Sequence, residues 1–508
     1  MNIDVNRLPN DPALLKKLLV EHAEKLAQAT ARNRYLEEQF RLAQQKQFGK
    51  SAEVFDAQGE LFNEAEDIIE QPDELATQEI SYTRKTPKRK PLPKDLPREQ
   101  VIHDIAEEDK LCNCCGNELH KMGEDVSEKL DFVPAKIKVI EHIRPKYACR
   151  ECDKSGSNNS IKQAKMPNMA INKGMATSSL LSQIITSKYQ YALPLHRQES
   201  MFKQYGIELS RKTMSDWVLV ASATLFEPLI QRLKHALLKQ PAIHADETTV
   251  NVVNADKVKS YMWLYCTGTD SPSAINKHNP IPNIVLYDYQ NSRAASCVLN
   301  YLDGYSGYLQ VDGYQAYAQT QSTLVGCWAH ARRKFIEAKH VQGKNKTGKA
   351  DVVLSLIQKL YGIESKLNDK TPEQKHEIRQ EQAKPIIDKL HKWLEQNQPR
   401  LVGKTKLAEA ATYLANQWHK LIVYLENGQL NIDNNRAERA IKPFVIGRKN
   451  WMFSQTSRGA IASAHLYSII ETARSNGLTP FDYIMHCLDE LCQPEPDIEQ
   501  LLPWNINI

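Results

Sequence analysis

The stretch AIHADETTVNVV, residues 242–253, is the first β-rich run after a long helical part of the chain. Side chains alternate between the two faces of a strand, so His244 and Asp246 share one face and Glu247 points to the other. We place Asp246 at the end of this first strand. What the strand belongs to depends on the runs that follow it.

Four further β-rich runs are separated by turn residues. KSYMWLYCTG (259–268) and NIVLYDYQ (283–290) predict the second and third strands. SRAASCVLNYL (292–302) predicts a helix, and GYLQVDGY (307–314) and STLVGCWAH (322–330) predict the last two strands. The order β-β-β-α-β-(short helix)-β is typical of a ribonuclease H-like fold, in which adjacent central strands bring carboxylates together and a later helix adds another.

Two DGY triplets compete for the second carboxylate, at Asp303 and Asp312. Asp303 follows the predicted helix, where Asp-Gly commonly forms a turn. Asp312 ends the fourth strand, where a central carboxylate is costly to bury without a partner. Asp312 is therefore the better metal-ligand candidate.

The third carboxylate lies in NNRAERAIKPFVIGRKNWMF, residues 434–453, where Glu438 is the only acid among five cations. Asp433 or Asn434 is the predicted N-cap of a helix that Pro443 ends. Glu438 has two interpretations: a surface ion pair with Lys442, four residues on, or a metal ligand beside a polyanion. Residues 331–430 are helical in character and form an insertion before this helix.

Three converging carboxylates suit two divalent metal ions in a phosphoryl transfer. Oxygen ligands favour Mg²⁺, with Mn²⁺ as a substitute. Each Asp alone is also explained as a cap or turn residue, so the prediction depends on the order strand-Asp, strand-Asp, helix-Glu.

The N-terminal part has a different organisation. Leu19, Leu26, Asn33 and Phe40 recur every seven residues, which predicts a coiled coil or one amphipathic helix packed on its own chain. Residues 51–100 are acidic, then basic and proline-rich, and read as a linker.

Cysteines follow the linker in a CxxC…CxxC pattern typical of structural zinc. The predicted ligands are Cys112, Cys115, Cys149 and Cys152. PLHRQESMFKQY, GIELS and RKTMSDWVLVAS then predict helix, turn and helix (194–222), either a helix-turn-helix that presents Arg211 and Lys212 or two packed helices. Trp217, Val218 and Val220 are predicted core residues.

The 508 residues carry a formal charge of only +5, which does not by itself indicate nucleic acid. No apolar run reaches the ~20 residues that a bilayer requires, and the N-terminus lacks the features of a signal peptide. We therefore expect a soluble, cytoplasmic protein without a membrane partner.

Several motifs together resemble those of the insertion-sequence 66 (IS66) family of bacterial DDE transposases. They include HADET, VDGYxxY, GCWAHARRKF, the 434–453 stretch, QFGKSAE and SIIETARSNGLTPFDYI, and they span almost the whole chain. The resemblance implies that Asp246, Asp312 and Glu438 are the DDE triad. It also implies Mg²⁺-dependent cleavage at element ends and joining of the freed 3′-hydroxyl to target DNA.

The resemblance also implies partners: double-stranded DNA (terminal inverted repeats and target), a second copy of the chain, and small accessory proteins of the same element. A nucleoid-associated location follows. The candidate DNA contacts are Arg211, Lys212, Arg332, Arg333, Arg436, Arg439, Lys442, Arg448, Lys449 and Trp451. Before the resemblance is considered, solvated helix surface explains Arg332 and Arg333 equally well. Core packing explains Trp451 equally well, and a hydrogen-bonded structural role explains His330 better than metal contact does.

The resulting fold class is multidomain α+β, with a ribonuclease H-like α/β core. The predicted segments are a coiled coil (1–50), a linker (51–100), a zinc-binding domain (101–160), a helical DNA-binding region (161–238), the first part of the core (239–335), a helical insertion (336–430), the final core helix with the basic motif (431–455) and a C-terminal helical region (456–508). Two other functions stay open: a catalytically silent DNA-binding protein derived from a transposase, and a structure-specific nuclease.

Overall fold

A computed structural model describes residues 11–48, 137–147, 161–172, 174–269, 281–341, 348–401 and 405–506. The chain divides into two compact units, Gln71–Ala164 and the remainder, Met1–Glu70 with Lys165–Ile508. In the smaller unit, strands β1 (Lys146–Tyr147) and β2 (Lys162–Gln163) pair antiparallel. The predicted zinc ligands and the linker lie outside the described residues.

The N-terminal helix α1 runs over Pro12–Phe48, as the absence of Gly and Pro from residues 13–48 predicts. Three apolar side chains of its seven-residue repeat, Leu19, Leu26 and Phe40, are 68, 70 and 65% exposed. Whether these side chains meet a second copy of the chain stays a prediction.

A five-stranded mixed sheet forms the centre of the larger unit. Its strands are β3 (Ala242–Asn251), β4 (Lys259–Cys266), β5 (Val285–Gln290), β6 (Tyr308–Gln310) and β7 (Thr323–Val325). The spatial order is β5-β4-β3-β6-β7, with β3, β4 and β5 antiparallel and β3, β6 and β7 parallel. Helix α6 (Ala295–Tyr301) precedes β6, and a short 3₁₀ turn (Gln315–Gln319) precedes β7. The predicted order of strands and helices is therefore confirmed.

Helices that precede and helices that follow the sheet in the chain share one hydrophobic core with it. They are α2 (Ser178–Tyr189), α3 (Leu195–Gln204), α4 (Arg211–Val220), α5 (Glu227–Leu238), α12 (Asn435–Trp451), α13 (Ser457–Ser475) and α14 (Pro480–Leu491). A π-helical segment, Ala221–Phe226, joins α4 to α5. Trp217 and Val218 are buried as predicted, but Val220 is 42% exposed because it falls on the outer face of α4.

A second hydrophobic core lies among the helices between β7 and α12. These are α7 (Trp328–His340), α8 (Lys349–Glu364), α9 (Pro372–Ile378), α10 (Lys384–Asn397) and α11 (Lys406–Leu421). Arg379 is 1% exposed and forms two hydrogen bonds with Glu364, of 2.9 and 2.7 Å, besides donating to three backbone carbonyls. A guanidinium is buried this deeply only when its donors are paired.

Helix α12 corrects one prediction, because it continues through Pro443 to Trp451. Phe444 and Val445, just beyond the proline, are fully buried, and the Phe444 ring packs against Tyr467 at a centroid distance of 5.3 Å. A proline inside a helix costs about 3 kcal/mol. Burial of two large apolar side chains offsets a cost of that size.

Candidate active site

Asp246 and Asp312 lie at matching positions relative to the parallel pairing of β3 with β6. The last registered pair of β3 and β6 is His244 with Gln310, and each Asp follows two residues later. Asp246 is in the middle of β3 and not at its end as predicted, because β3 continues to Asn251 in its pairing with β4. Strand β6 ends before Asp312, so the two carboxylates come where β3 loses its parallel partner.

Backbone hydrogen bonds hold both carboxylates in place. The Glu247 N–H donates to Asp246 Oδ1 at 2.8 Å, and the Tyr314 N–H donates to Asp312 Oδ1 at 3.0 Å. Burial raises the pKa of Asp246 well above its usual range, and the negative charges of Glu247, Asp312 and Glu438 raise it further. A cluster of this kind is costly without a cation, which is one physical signature of a functional site.

Glu438 lies in the first turn of α12, four residues after the N-cap Asn434, which is one of the two N-caps that the sequence predicts. Its side chain is 17% exposed and faces α7, where His330 Nδ1 lies 3.6 Å from Oε1 and an Arg333 nitrogen lies 3.8 Å from Oε2. Oε1 is buried and accepts no hydrogen bond. Glu438 therefore points into the protein, towards α7.

Cys327 and His330 complete the surroundings of Glu438. The donor atoms of these three residues lie within 4.8 Å of one another, and among the described residues no other group of three His, Cys, Asp or Glu side chains is gathered so closely. Burial lowers the pKa of His330, so the imidazole is neutral at neutral pH. Sequence analysis missed Cys327, although the CxxH spacing at a helix start was a readable signal.

The residues present fit divalent cations. Asp246, Asp312 and Glu438 supply hard oxygen donors, and Glu438 Oε1 is a buried oxygen without a partner. A cation would also relieve the repulsion that raises the pKa of Asp246. Among the described residues, the oxygen atoms of these three carboxylates do not all lie within 4.8 Å of one another, as the donor atoms of Cys327, His330 and Glu438 do.

Asn434 links α12 to β3 through buried hydrogen bonds. Its side-chain nitrogen donates to the Ala245 carbonyl at 2.9 Å, and its side-chain oxygen lies 3.0 Å from His244 Nδ1. The Asn434 N–H in turn donates to Cys327 Sγ at 3.2 Å. One residue thus sets the start of α12, and with it Glu438, against the strand that carries Asp246.

Glu247 faces away from this network, as the strand alternation predicts. Its carboxylate accepts a 2.9 Å hydrogen bond from Arg293 Nε and a 2.7 Å hydrogen bond from the Tyr317 hydroxyl. Burial raises the pKa of Glu247, and the charge of Asp312 adds to the effect. The contacts of Glu247 indicate a structural carboxylate that shapes the field at Asp246 and Asp312.

Two of the candidate cations on α12 form hydrogen bonds with other parts of the protein. Arg436 is 4% exposed and donates from Nε and Nη2 to the Thr267 carbonyl, at 3.3 and 3.2 Å. Its predicted contact with phosphate is therefore wrong, because the helix turns that side chain into the core. Arg448 is half-buried and donates to Thr248 and Thr249 of β3.

The other candidates are more accessible. Arg439 and Lys449 are exposed, Lys442 is half-buried, and Arg332 and Arg333 are half-buried on α7. The Trp451 ring is half-buried and packs edge-on against Phe444 at 5.4 Å, which favours its role as a core residue.

The predicted helix, turn and helix before the sheet are confirmed as α3 and α4. Ser210 caps α4 by accepting a 3.1 Å hydrogen bond from the Thr213 N–H, and Gly206 takes a left-handed φ of +76° in the turn. Arg211 and Lys212 are exposed at the start of α4. Both helices also pack in the core of the larger unit, so recognition of DNA by this pair stays a prediction.

Within the described residues, no helix is long and apolar enough to cross a membrane.

Comparison with known proteins extends these observations beyond the described residues. A family model described as "Transposase IS66 family" matches residues 173–462, and "IS66 C-terminal element" matches 468–504. "Zinc-finger binding domain of transposase IS66" matches 109–153, a range that includes all four cysteines of the CxxC pairs. "Transposase C of IS166 homeodomain" matches 35–101, which overlaps only the end of α1.

Three similar proteins come from Sinorhizobium fredii (strain NBRC 101917 / NGR234). The uncharacterized protein y4hP is 33% identical over 444 residues, which cover 84% of this chain and 78% of that protein. The uncharacterized protein y4qI is 34% identical over 440 residues, covering 82% and 78%. The uncharacterized protein y4jD is 34% identical over 430 residues, covering 82% and 81%.

Proposed function

The chain belongs to the IS66 transposase family, and on that premise we propose that it binds the ends of a bacterial insertion sequence, cleaves DNA strands there and joins them to target DNA. The observation that carries this proposal is the position of three acids. Asp246 lies on β3 and Asp312 follows β6, each two residues after the last parallel pair, and Glu438 in the first turn of α12 is near enough for its charge to raise the pKa of Asp246.

We further propose that the sheet is the core of a ribonuclease H-like catalytic domain with α7 to α11 as its insertion. Three antiparallel strands followed by two parallel ones, with Asp246 on the middle strand β3 and Asp312 just after its parallel neighbour β6, support this assignment. Zinc bound by Cys112, Cys115, Cys149 and Cys152 would stabilise a separate zinc finger, in line with the family match over 109–153.

Asp246, Asp312 and Glu438 would hold Mg²⁺, which when bound activates the attacking oxygen and stabilises the leaving oxygen of a phosphoryl transfer. The protein's own contribution is orientation. The backbone N–H groups of Glu247 and Tyr314 fix two of the carboxylates, and Asn434 fixes the helix that carries the third.

Exposed cations supply the DNA contact in this proposal. Arg439 and Lys449 on α12, with Lys442 between them, offer positive charge on the helix that carries Glu438. Arg211 and Lys212 offer a second surface at the start of α4. Contacts of this kind bind phosphates irrespective of sequence and weaken as salt rises.

The test uses the purified full chain and a duplex that carries the terminal inverted repeat of the element. We expect strand cleavage with Mg²⁺ and none with EDTA, followed by transfer of the freed 3′-end to a second duplex. Asp312→Asn should abolish both steps and retain DNA binding, measured by fluorescence anisotropy.

The matched control is Asp303→Asn, which changes the other DGY triplet at an exposed turn and should cleave like the wild type. Unchanged cleavage by Asp312→Asn would overturn the catalytic assignment. Binding without cleavage by the wild-type chain would instead support a silent DNA-binding protein, and cleavage without joining would support a nuclease.

A further inference from the structure

Cys327, His330 and Glu438 form a compact group with mixed donor chemistry. Cys327 directly precedes α7 and His330 is in its first turn, so their side chains lie on one face of the helix start. Glu438 reaches the same point from the first turn of α12. One sulfur, one nitrogen and one oxygen donor thus lie within 4.8 Å of one another.

Two atoms of the group lack the hydrogen bonds that buried polar atoms normally have. His330 Nδ1 and Glu438 Oε1 are 3.6 Å apart, too far for a hydrogen bond, and both are buried without another partner. Buried side-chain polar atoms in folded proteins are mostly paired. Two orphaned atoms directed at one point therefore indicate a ligand between them.

The spacing and the donor types suit zinc. Bonds of about 2.0–2.1 Å in a tetrahedral site place nitrogen and oxygen donors about 3.3 Å apart, close to the 3.6 Å separation of His330 Nδ1 and Glu438 Oε1. Cys327 Sγ already accepts the Asn434 N–H, the kind of second interaction that orients a metal ligand. Arg333 lies at the other carboxylate oxygen, Oε2, and leaves Oε1 to the ion.

We propose that Cys327, His330 and Glu438 bind Zn²⁺, and that zinc at this site inhibits the Mg²⁺-dependent reaction by occupying Glu438. A thiolate and an imidazole select zinc over magnesium, which prefers an all-oxygen shell. Three protein ligands leave the fourth position to water. The inhibition rests on the proposed function, whereas the binding site does not.

The first experiment counts zinc in the full chain after dialysis against a zinc buffer. Wild-type protein should bind one equivalent more than Cys327→Ser and one more than His330→Gln, because the zinc finger retains its ion in all three. Cys266→Ser removes a buried thiol elsewhere in the sheet and should bind as much as the wild type. Cobalt should give a thiolate charge-transfer band that Cys327→Ser weakens.

Circular dichroism and thermal unfolding establish which variants are folded. If Cys327→Ser does not fold, the zinc content of folded His330→Gln tests the site. We expect the zinc affinity of this site to fall at least about 10-fold in either variant. Equal zinc content in wild type and both folded variants would overturn the site.

The second experiment compares, within each variant, the rate of Mg²⁺-dependent cleavage with and without added zinc. Zinc should slow the wild-type reaction, and the slowing should be relieved in Cys327→Ser whatever that variant's own rate. Extra zinc bound without inhibition would refute the regulatory half alone. A chain that binds the extra zinc but never cleaves DNA would refute the proposed function and leave the zinc site standing.

Discussion

Asn434→Ala removes the side chain that fixes the start of α12 against β3. Asn434 is 1% exposed, and its side-chain amide forms hydrogen bonds with the Ala245 carbonyl at 2.9 Å and with His244 Nδ1 at 3.0 Å. Both partner residues are buried, so water cannot replace the lost amide. The substitution therefore leaves an acceptor and a ring nitrogen without these partners.

The expected cost follows from those two groups. A buried polar group left unsatisfied costs about 1–3 kcal/mol. Both groups depend on one side chain and are not independent, so we expect the free energy of unfolding to fall by about 2–4 kcal/mol. Asn450→Ala, at an exposed position near the end of the same helix, is the matched control and should change it by less than about 0.5 kcal/mol.

The assay is a urea titration followed by tryptophan fluorescence. All seven tryptophans lie between residues 217 and 504, so fluorescence reports the larger unit alone. Circular dichroism must give the same midpoint for a two-state free energy to apply. A difference between Asn434→Ala and Asn450→Ala below about 1 kcal/mol, the net value of one ordinary hydrogen bond, would refute the reasoning.

Four other substitutions have defined outcomes in the same titration. Burial raises the pKa of Asp288 to about 6, so the free energy of unfolding of the wild type falls as pH rises towards and through that value. Asp288→Asn should therefore be about 2–3 kcal/mol more stable than the wild type near pH 8 and equally stable near pH 4. Arg379→Met should lower the free energy of unfolding by about 3–5 kcal/mol because Glu364 loses its buried partner. A loss no larger than that of the exposed control Asn450→Ala would contradict this. Gly447→Ala should cost about 1–3 kcal/mol because its Cβ meets the Tyr467 hydroxyl, whereas Gly362→Ala, in open space on α8, should gain about 0.5–1 kcal/mol; equal effects would contradict the packing argument.

Local sequence signals predicted the parts of the fold that depend on local physics. Ser210 begins α4 because its hydroxyl accepts a helix N–H, and residue type alone indicates this. The alternation of 242–253 placed Asp246 and Glu247 on opposite faces. The distinction between Asp303 and Asp312 also followed from turn chemistry, and Asp303 lies in an exposed turn.

Contacts between segments that are distant in the chain determine the features of the fold that the sequence could not predict, such as which strand a helix packs against. Ser468 and Thr472 of α13 accept hydrogen bonds of 2.7 and 3.0 Å from the Tyr287 and Val285 N–H groups. The helix thereby covers the open edge of β5, the outermost strand on that side of the sheet. Nothing in the spacing of two hydroxyls on a helix specifies which strand they meet.

The same limit explains why the cations of residues 434–453 could not be sorted from sequence. A helix turns by about 100° per residue, which places Arg439, Lys442 and Lys449 in one sector of about 80°. Arg436 falls outside that sector, about 100° from its middle, and its burial follows once the apolar side of α12 faces the sheet. Periodicity gives the relative positions of the side chains around the helix axis, and only packing determines which side of the helix faces the core.

Glu438 lies at the boundary between the two sides of α12. The exposed row of Arg439, Lys442 and Lys449 begins next to it, and the fully buried Ile441 lies on its other side. A polyanion attracted by the row would run past this carboxylate, because the row and the acid share one helix with no loop between them. In the proposed reaction one rigid element therefore both attracts the substrate and helps to hold the metal, which explains why the only acid of the stretch belongs among its cations.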